Sequence, residues 1–315
     1  MDERARTAVR EMAQHLDVVT PADAARRGLG GPDLRAACLA GDLVRVRFGA
    51  YTSATRWTGL DAGARYTLRV RAAARAFRAP LFSHDSAAAL WGLPRIGSWP
   101  VAVHVAVPHG WGGRSSPAVR RHQVVDAPES VEVQGVLATS VARTVVDIAR
   151  EWSFDAALVA ADHALRERMV DHEALYAELR GAAGCLGTRR ALRVVRRADG
   201  LSESVGESLS RARMIELGLP APVLQHVVSV PDGTDARVDF WWPHLGLVGE
   251  FDGRLKYHRE GATDPRAPED RVWAEKLRED SIRARGVRVA RWTWDVAVDR
   301  ERFAAHLAGL GLLPT

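Results

Sequence analysis

A chain of 315 residues, 47% hydrophobic and 26% charged, has the make-up of an ordinary globular protein with room for two or three domains, which excludes an intrinsically disordered chain. Its formal net charge of +5 mildly favours an anionic partner such as nucleic acid over a membrane surface. The first twenty residues mix charges of both signs and hold no apolar run, and no later stretch has the length to span a bilayer, so neither a secretory signal nor a membrane partner is expected.

Only Cys38 and Cys185 are present, without His or Cys neighbours at metal spacing, which points to a reducing cytoplasm and against a structural zinc site. The 44 basic residues include just two lysines, Lys256 and Lys276, both in the last third. Lysine is a compact point charge whose pKa responds to its surroundings, a property that some catalytic steps require.

Along the chain, residues 3–16 read as an amphipathic helix with Ala8, Met12 and Leu16 at helical spacing. Thr20 and Pro21 predict an N-cap and first helical position, with Gly28 ending that helix; Pro32 and Asp33 open a third that closes at Gly41. The alternating stretch LVRVRFGAYTS then predicts two strands around a turn at Gly49. Three helices and a two-stranded wing over residues 1–55 are the order of a winged helix-turn-helix, with Arg35, Arg45 and Arg47 as candidate DNA-phosphate contacts. A three-helix packing module that touches no DNA reads the same pattern equally simply.

Residues 56–180 predict an α+β middle domain. Asp61–Arg78 and HDSAAALWG, capped by Ser83, read as helices. VAVHVAVP and the stretch around VRRHQVV read as strands, Ser140 caps the helix VARTVVDIAR, and two more helices follow. The connecting GWGGRSS lacks the Lys-Ser/Thr ending of a phosphate-binding loop and is expected to be a connector. His84, His104, His109, His122, His163 and His172 share no ligand spacing on one element and are expected to be structural or on the surface. Residues 181–200 read as a basic linking helix, in which Arg189, Arg190 and Arg193 could contact DNA backbone, form a solvated face, or dock a protein.

Residues 201–315 carry the densest chemistry. Ser202 is expected to cap a helix through Leu217 with Val205, Leu209, Ala212 and Ile215 on one apolar face, and Glu203 and Glu207 lie one turn apart on it. VLQHVVSV, ARVDFWW and LVGEFDG follow as strands. A tight turn at 243–246 sets Trp242 opposite Leu247, hence Asp239 opposite Glu250. Alternation then sends Val238, Phe240, Trp242, Leu247 and Phe251 into the core and leaves Asp239, Glu250 and Asp252 on the other face. Like charges opposite one another on a sheet call for compensation, and a hard divalent cation, Mg²⁺ (or Mn²⁺), suits oxygen ligands. A solvated acidic edge relieved by arginines is the competing reading. WAEKLREDSIRARG predicts a helix, VRVARWTW a strand, and a last helix starts near Val298, giving an αβββαβα mixed-sheet order and an α/β protein overall.

Helix Glu207, strand Asp239, then Glu250-Phe251-Asp252-Gly253 and the downstream EKLRED resemble the PD-(D/E)XK nuclease superfamily, in particular its very-short-patch-repair-endonuclease-like branch. The resemblance implies a restriction-endonuclease-like domain in which Glu207, Asp239 and Glu250 hold metal and Lys256 sits near the attacking water or scissile phosphate, with Asp252 added to the metal candidates by its place on the same strand face. Asp252 stands where that family usually has lysine. VVTPADAARRGL, GAYTS, SHDSAAALWGLP and TSVARTVVDIA resemble the AbiEi-type antitoxin family, which implies a winged helix that binds the operon's own promoter and a cognate toxin as partner. Two functions follow as expectations: a metal-dependent DNA endonuclease in defence or repair, or a non-catalytic antitoxin or transcriptional regulator with a degenerate nuclease-like domain.

Overall fold

The computed structural model describes residues 2–110, 113–124, 128–229, 235–253, 283 and 286–314. The protein is mixed α/β and divides into two compact units, Met1–Glu151 with Glu173–Ala191, and Trp152–His172 with Leu192–Thr315. Among the described residues no helix is long and apolar enough to cross a membrane.

The first unit starts with α1 (Glu3–His15), α2 (Pro21–Ala25), α3 (Gly31–Leu39), β1 (Leu43–Arg47) and β2 (Ala50–Ser53). Local chemistry sets these boundaries. Asp2 Oδ1 accepts from the Ala5 N–H at 2.7 Å, and Thr20 with Asp23 forms a reciprocal capping box at the Pro21 start. Gly41 and Gly49 take the positive φ values that their turns need. Met12, Leu34, Leu43 and Tyr51 bury a shared core, and Val19 bridges to Tyr51 beside the hairpin.

The same unit continues through α4 (Ala54–Gly59), α5 (Ala62–Ala74), β3 (Leu81–Phe82), α6 (His84–Leu90), β4 (Val103–Pro108), β5 (Val119–Val124), β6 (Ser130–Val133), β7 (Val136–Thr139) and α7 (Val141–Glu151). Its five strands run in the order β5-β4-β3-β7-β6. β4 and β5 are parallel, so the Gly-rich stretch between them lies in a crossover that joins parallel neighbours. The helix expected over Asp61–Arg78 stops at Ala74, and α4, β3, β6 and β7 were not foreseen.

The second unit holds α8 (Phe154–Arg166) and, after α9 (His172–Gly181) and α10 (Thr188–Arg197), α11 (Val205–Leu217), β8 (Val223–Ser229), β9 (Asp235–Trp242), β10 (Leu247–Asp252), β11 (Arg288–Thr293), α12 (Trp294–Val298) and α13 (Arg300–Ala308). Its sheet order is β11-β10-β9-β8, with β10 and β11 parallel and the other pairs antiparallel. The hairpin register is the one its turn dictates: Trp242 pairs with Leu247 around Gly246, which has φ +53°. α11 starts two residues later than Ser202 would set it, because Ser204 supplies the capping oxygen to Glu207 N–H. Nor does that helix have one apolar stripe: Glu207, Ser208, Ser210 and Arg211 are buried along with Leu209 and Ala212. The expected WAEKLREDSIRARG helix lies outside the described residues apart from Arg283.

One expected face is corrected. Val238 packs with Val228, Ala236 and Val248 and is not grouped with Phe240. The β8–β9 ladder pairs Leu224 with Phe240 and His226 with Val238, skipping Gln225 and Asp239, and Gln225 sits at φ +50°. One unpaired residue on each strand leaves the register unchanged but lets the side-chain alternation change at this point.

Candidate functional site

The carboxylates singled out by sequence fall on adjacent elements of the second unit. Glu207 occupies the first turn of α11 and is only 1% exposed. Its Oε2 accepts from the Glu203 N–H at 2.8 Å and from Gln225 Nε2 at 2.9 Å, which offsets the cost of burying a charge. Gln225, at φ +50°, lies opposite Asp239 of β9 in an unshifted register, and Asp239 Oδ2 accepts from the Phe251 N–H at 2.8 Å. Continuing the hairpin register one residue past Gly249–Phe240 sets Glu250 across from Asp239, and Glu250 is aligned with Arg291 on the parallel β11. A row Gln225–Asp239–Glu250–Arg291 thus crosses all four strands, with Glu207 tied to one end.

Asp239, Glu250 and Asp252 are half-buried, and Asp252 aligns with Thr293 two positions further along β10. Glu203 is engaged separately by Arg237 at 2.8 Å. Lys256 and Lys276 lie outside the described residues.

The arginines proposed for DNA are arranged less uniformly than their spacing implies. Arg35 and Arg45 are exposed. Arg47 is half-buried with its guanidinium over the Phe77 ring, 4.8 Å from the centroid. On α10, Arg189, Arg190, Arg193, Arg196 and Arg197 are exposed while Ala191, Val194, Val195 and Ala198 beside them are buried. This helix therefore does carry a basic face opposite an apolar one. Arg193 lies 4.2 Å above the Phe154 ring.

Three of the histidines that share no ligand spacing on one element come together with an acidic residue in the first unit. His84 opens α6, His104 lies on β4, His122 on β5, and Glu151 ends α7. The His84 and His122 rings stack with centroids 3.5 Å apart and 14° between planes. Burial pushes His84 well below the ordinary imidazole range, helped by His122 and His104, and burial brings His104 and His122 down to about 3. Burial also raises the carboxyls of Asp147 and Glu151, against the pull of Arg143 and Arg120 respectively. Ser83-His84-Asp85-Ser86, a polar cap and first turn before the apolar Ala87–Leu90, was the one local signal available.

No protein-family model matches the chain. It is similar to two uncharacterized proteins of Mycobacterium tuberculosis, MT2308 from strain CDC 1551 / Oshkosh and Rv2248 from strain ATCC 25618 / H37Rv, each 38% identical over 178 residues, or 55% of this chain. The chain spans 62% of the length of these curated relatives. Among solved structures, the RV2827C protein from Mycobacterium tuberculosis aligns with 16% identity and a TM-score of 0.35, covering 74% of this chain and 90% of that one.

Proposed function

We propose that the second unit is a metal-dependent phosphodiesterase acting on DNA, in a restriction-endonuclease-like fold, with Asp239 and Glu250 as the principal carboxylates. The observation that carries this reading is the row Gln225–Asp239–Glu250–Arg291 with Glu207 held against Gln225. A solvated acidic edge gives no reason to bury Glu207 at 1% exposure and tie it to the strand beside Asp239.

The donor set is all carboxylate oxygen, which fits a hard cation such as Mg²⁺. Among the described residues these acids do not close into a group of three ligand atoms within 4.8 Å. Magnesium does not need one, since it is commonly held by one or two carboxylates plus waters and substrate phosphate. When bound, the ion would supply positive charge against the phosphoryl oxygens. The chain's own residues set the geometry. The Phe251 N–H fixes the Asp239 carboxylate, Gln225 and the Glu203 N–H fix Glu207, and Arg291 stands in register with Glu250.

The first unit would bring DNA through a winged helix-turn-helix, with Arg35 and Arg45 on exposed positions of α3 and β1. The test is cleavage of supercoiled, linear, mismatched and single-stranded DNA with Mg²⁺ or Mn²⁺. Asp239→Ala and Glu250→Ala should abolish cutting and spare binding. A variant that cuts at the wild-type rate removes the assignment.

The second reading is a non-catalytic DNA-binding regulator or antitoxin that uses the same fold without chemistry. The acidic Asp252, at the position where lysine is expected, favours it. Tight binding to the chain's own upstream DNA, with no cutting of any substrate in either metal, selects this reading.

A further inference from the structure

Beside β4 and β5 of the first unit lies a cavity of about 710 Å³ whose lining includes no member of the carboxylate row or of the histidine cluster. We propose that this cavity binds a small amphipathic acid, an apolar body carrying one carboxylate, whose head is held by Arg121 with Arg78 beside it.

Phe77 in the turn after α5, Leu81 at the start of β3, Val107 on β4 and Val119 on β5 supply apolar walls. The volume falls within the ~300–1,000 Å³ of small-molecule sites, which are mostly apolar and orient their ligands with a few polar groups. Here the polar groups are two arginines. Arg78 and Arg121 are the charged residues of the lining, and no acid accompanies them.

Strand geometry brings Arg121 to the apolar side. In the parallel β4–β5 pair it stands level with Val105 and two residues after Val119, so all three point to one face. A cation among valines is costly unless something compensates it. Among the described residues no carboxylate pairs with Arg121 or Arg78. The Arg121 guanidinium is held from behind instead. Its Nη1 donates to the Arg114 carbonyl, and its Nε lies against Gly113, where an added Cβ would come within 3.2 Å of it. The Arg121 N–H donates to Ser115 Oγ at 3.0 Å, which ties the strand to the same loop. These contacts orient the guanidinium and leave Nη2 for an outside acceptor.

The two halves of the lining select the ligand together. A wholly polar anion gains nothing from the apolar walls, and a neutral apolar molecule leaves Arg121 uncompensated. A carboxylate is a monoanion that forms charge-assisted bonds with a guanidinium and sheds water at lower cost than a phosphate dianion. Arg78 is exposed, so its contribution is an attraction that salt screens.

The test uses the full-length protein and decanoate below the concentration at which it forms micelles, with decan-1-ol and decylamine as neutral and cationic counterparts. Calorimetry should give one equivalent of decanoate bound, with decylamine at least about tenfold weaker. Arg121→Gln should weaken decanoate about tenfold and leave decan-1-ol within about twofold. Ala76→Trp fills the cavity from an exposed position of its lining and should remove binding of both. Urea unfolding of each variant separates lost binding from lost fold. If Arg121→Gln unfolds, Arg78→Gln, at an exposed residue, should still weaken decanoate at low salt. Decanoate that fails to bind, or that binds without saturating, overturns the site, as does binding untouched by Ala76→Trp. Decylamine as tight as decanoate, or a decanoate affinity unmoved by Arg121→Gln, overturns the acid as its ligand.

Discussion

Gly206 in the first turn of α11 lies flat against the Phe251 ring of β10, so close that a Cβ added there would come within 2.0 Å of a ring carbon. The helix residue that follows is Glu207 and the strand residue that precedes Phe251 is Glu250, so this contact sets the separation of two candidate carboxylates. Gly206→Ala is expected to destabilise the second unit by about 1–3 kcal/mol through overpacking, measured by urea unfolding. It should also lower metal-dependent cutting in molecules that remain folded. A neutral effect on both would mean that the helix can move away at no cost.

Gln225 combines a left-handed backbone at φ +50° with a hydrogen bond from its amide to Glu207. The two contributions separate by substitution. Gln225→Ala loses the bond and keeps the strain, while Gln225→Gly loses the bond and relieves it. The glycine variant should be more stable than the alanine variant by about 1 kcal/mol in thermal or denaturant unfolding. Equal stabilities would show that the backbone at this position relaxes once the side chain is gone.

The contrast between these elements explains what could be read in advance. Trp242 opposite Leu247 followed from a four-residue turn ending in glycine, and the cap at Thr20 followed from Thr-Pro-Ala-Asp, because both are decided by neighbours in sequence. The exchange of faces at Val238 was not legible, since it depends on Gln225 dropping out of the ladder with a strand ten or more residues away. The histidine cluster was invisible for the same reason. His84 and His122 meet only because β4 runs parallel to β5 and α6 packs on β4, a topology that no local period encodes. The acidic row was found because three of its members sit on one hairpin and one helix, within 44 residues of chain from Glu207 to Glu250 inclusive.

Asp23 is 4% exposed and accepts from the Thr20 N–H at 2.8 Å and hydroxyl at 2.7 Å, and pairs with Arg75 and Arg26. Burial alone would raise its carboxyl, but the Thr20 bonds, then Arg75 and Arg26, hold it below the ordinary 3.8. A depressed folded value means that the stabilisation is complete above 3.8 and is lost as pH falls through the lowered value. Asp23→Ala should therefore cost about 1–3 kcal/mol at neutral pH, and its deficit against wild type should shrink on acidification below about pH 4. Parallel unfolding curves with a constant gap down to strong acid would contradict this.

Asp162 and Arg211 form a buried pair between α8 and α11, with Arg211 Nη2 at 2.7 and 2.8 Å from the two carboxylate oxygens and the Asp199 N–H at 2.8 Å. Asp162 is 0% and Arg211 7% exposed. Removing one partner strands the other charge, so Asp162→Ala should cost about 3–5 kcal/mol in denaturant unfolding. Combining Asp162→Leu with Arg211→Met should recover most of that loss, because two apolar side chains leave no buried charge. A double variant as unstable as the single one would assign the pair a geometric role in aligning the two helices.

The arginines of α10 allow DNA binding to be separated from packing. Arg189 and Arg190 are exposed, whereas Arg193, also exposed, rests on the Phe154 ring at 4.2 Å. If the helix contacts DNA backbone, Arg189→Ala and Arg190→Ala should each reduce the slope of log binding constant against log salt by about 0.9, uniformly across sequences, without altering stability. Arg193→Ala should instead lower stability by about 0.5–1 kcal/mol through the lost ring contact, with a smaller effect on the slope. The assignment rests on the slope and not on affinity at one salt concentration, because a folding defect weakens binding equally at every ionic strength. Slopes unchanged in Arg189→Ala and Arg190→Ala would make the basic face of α10 a solvated surface.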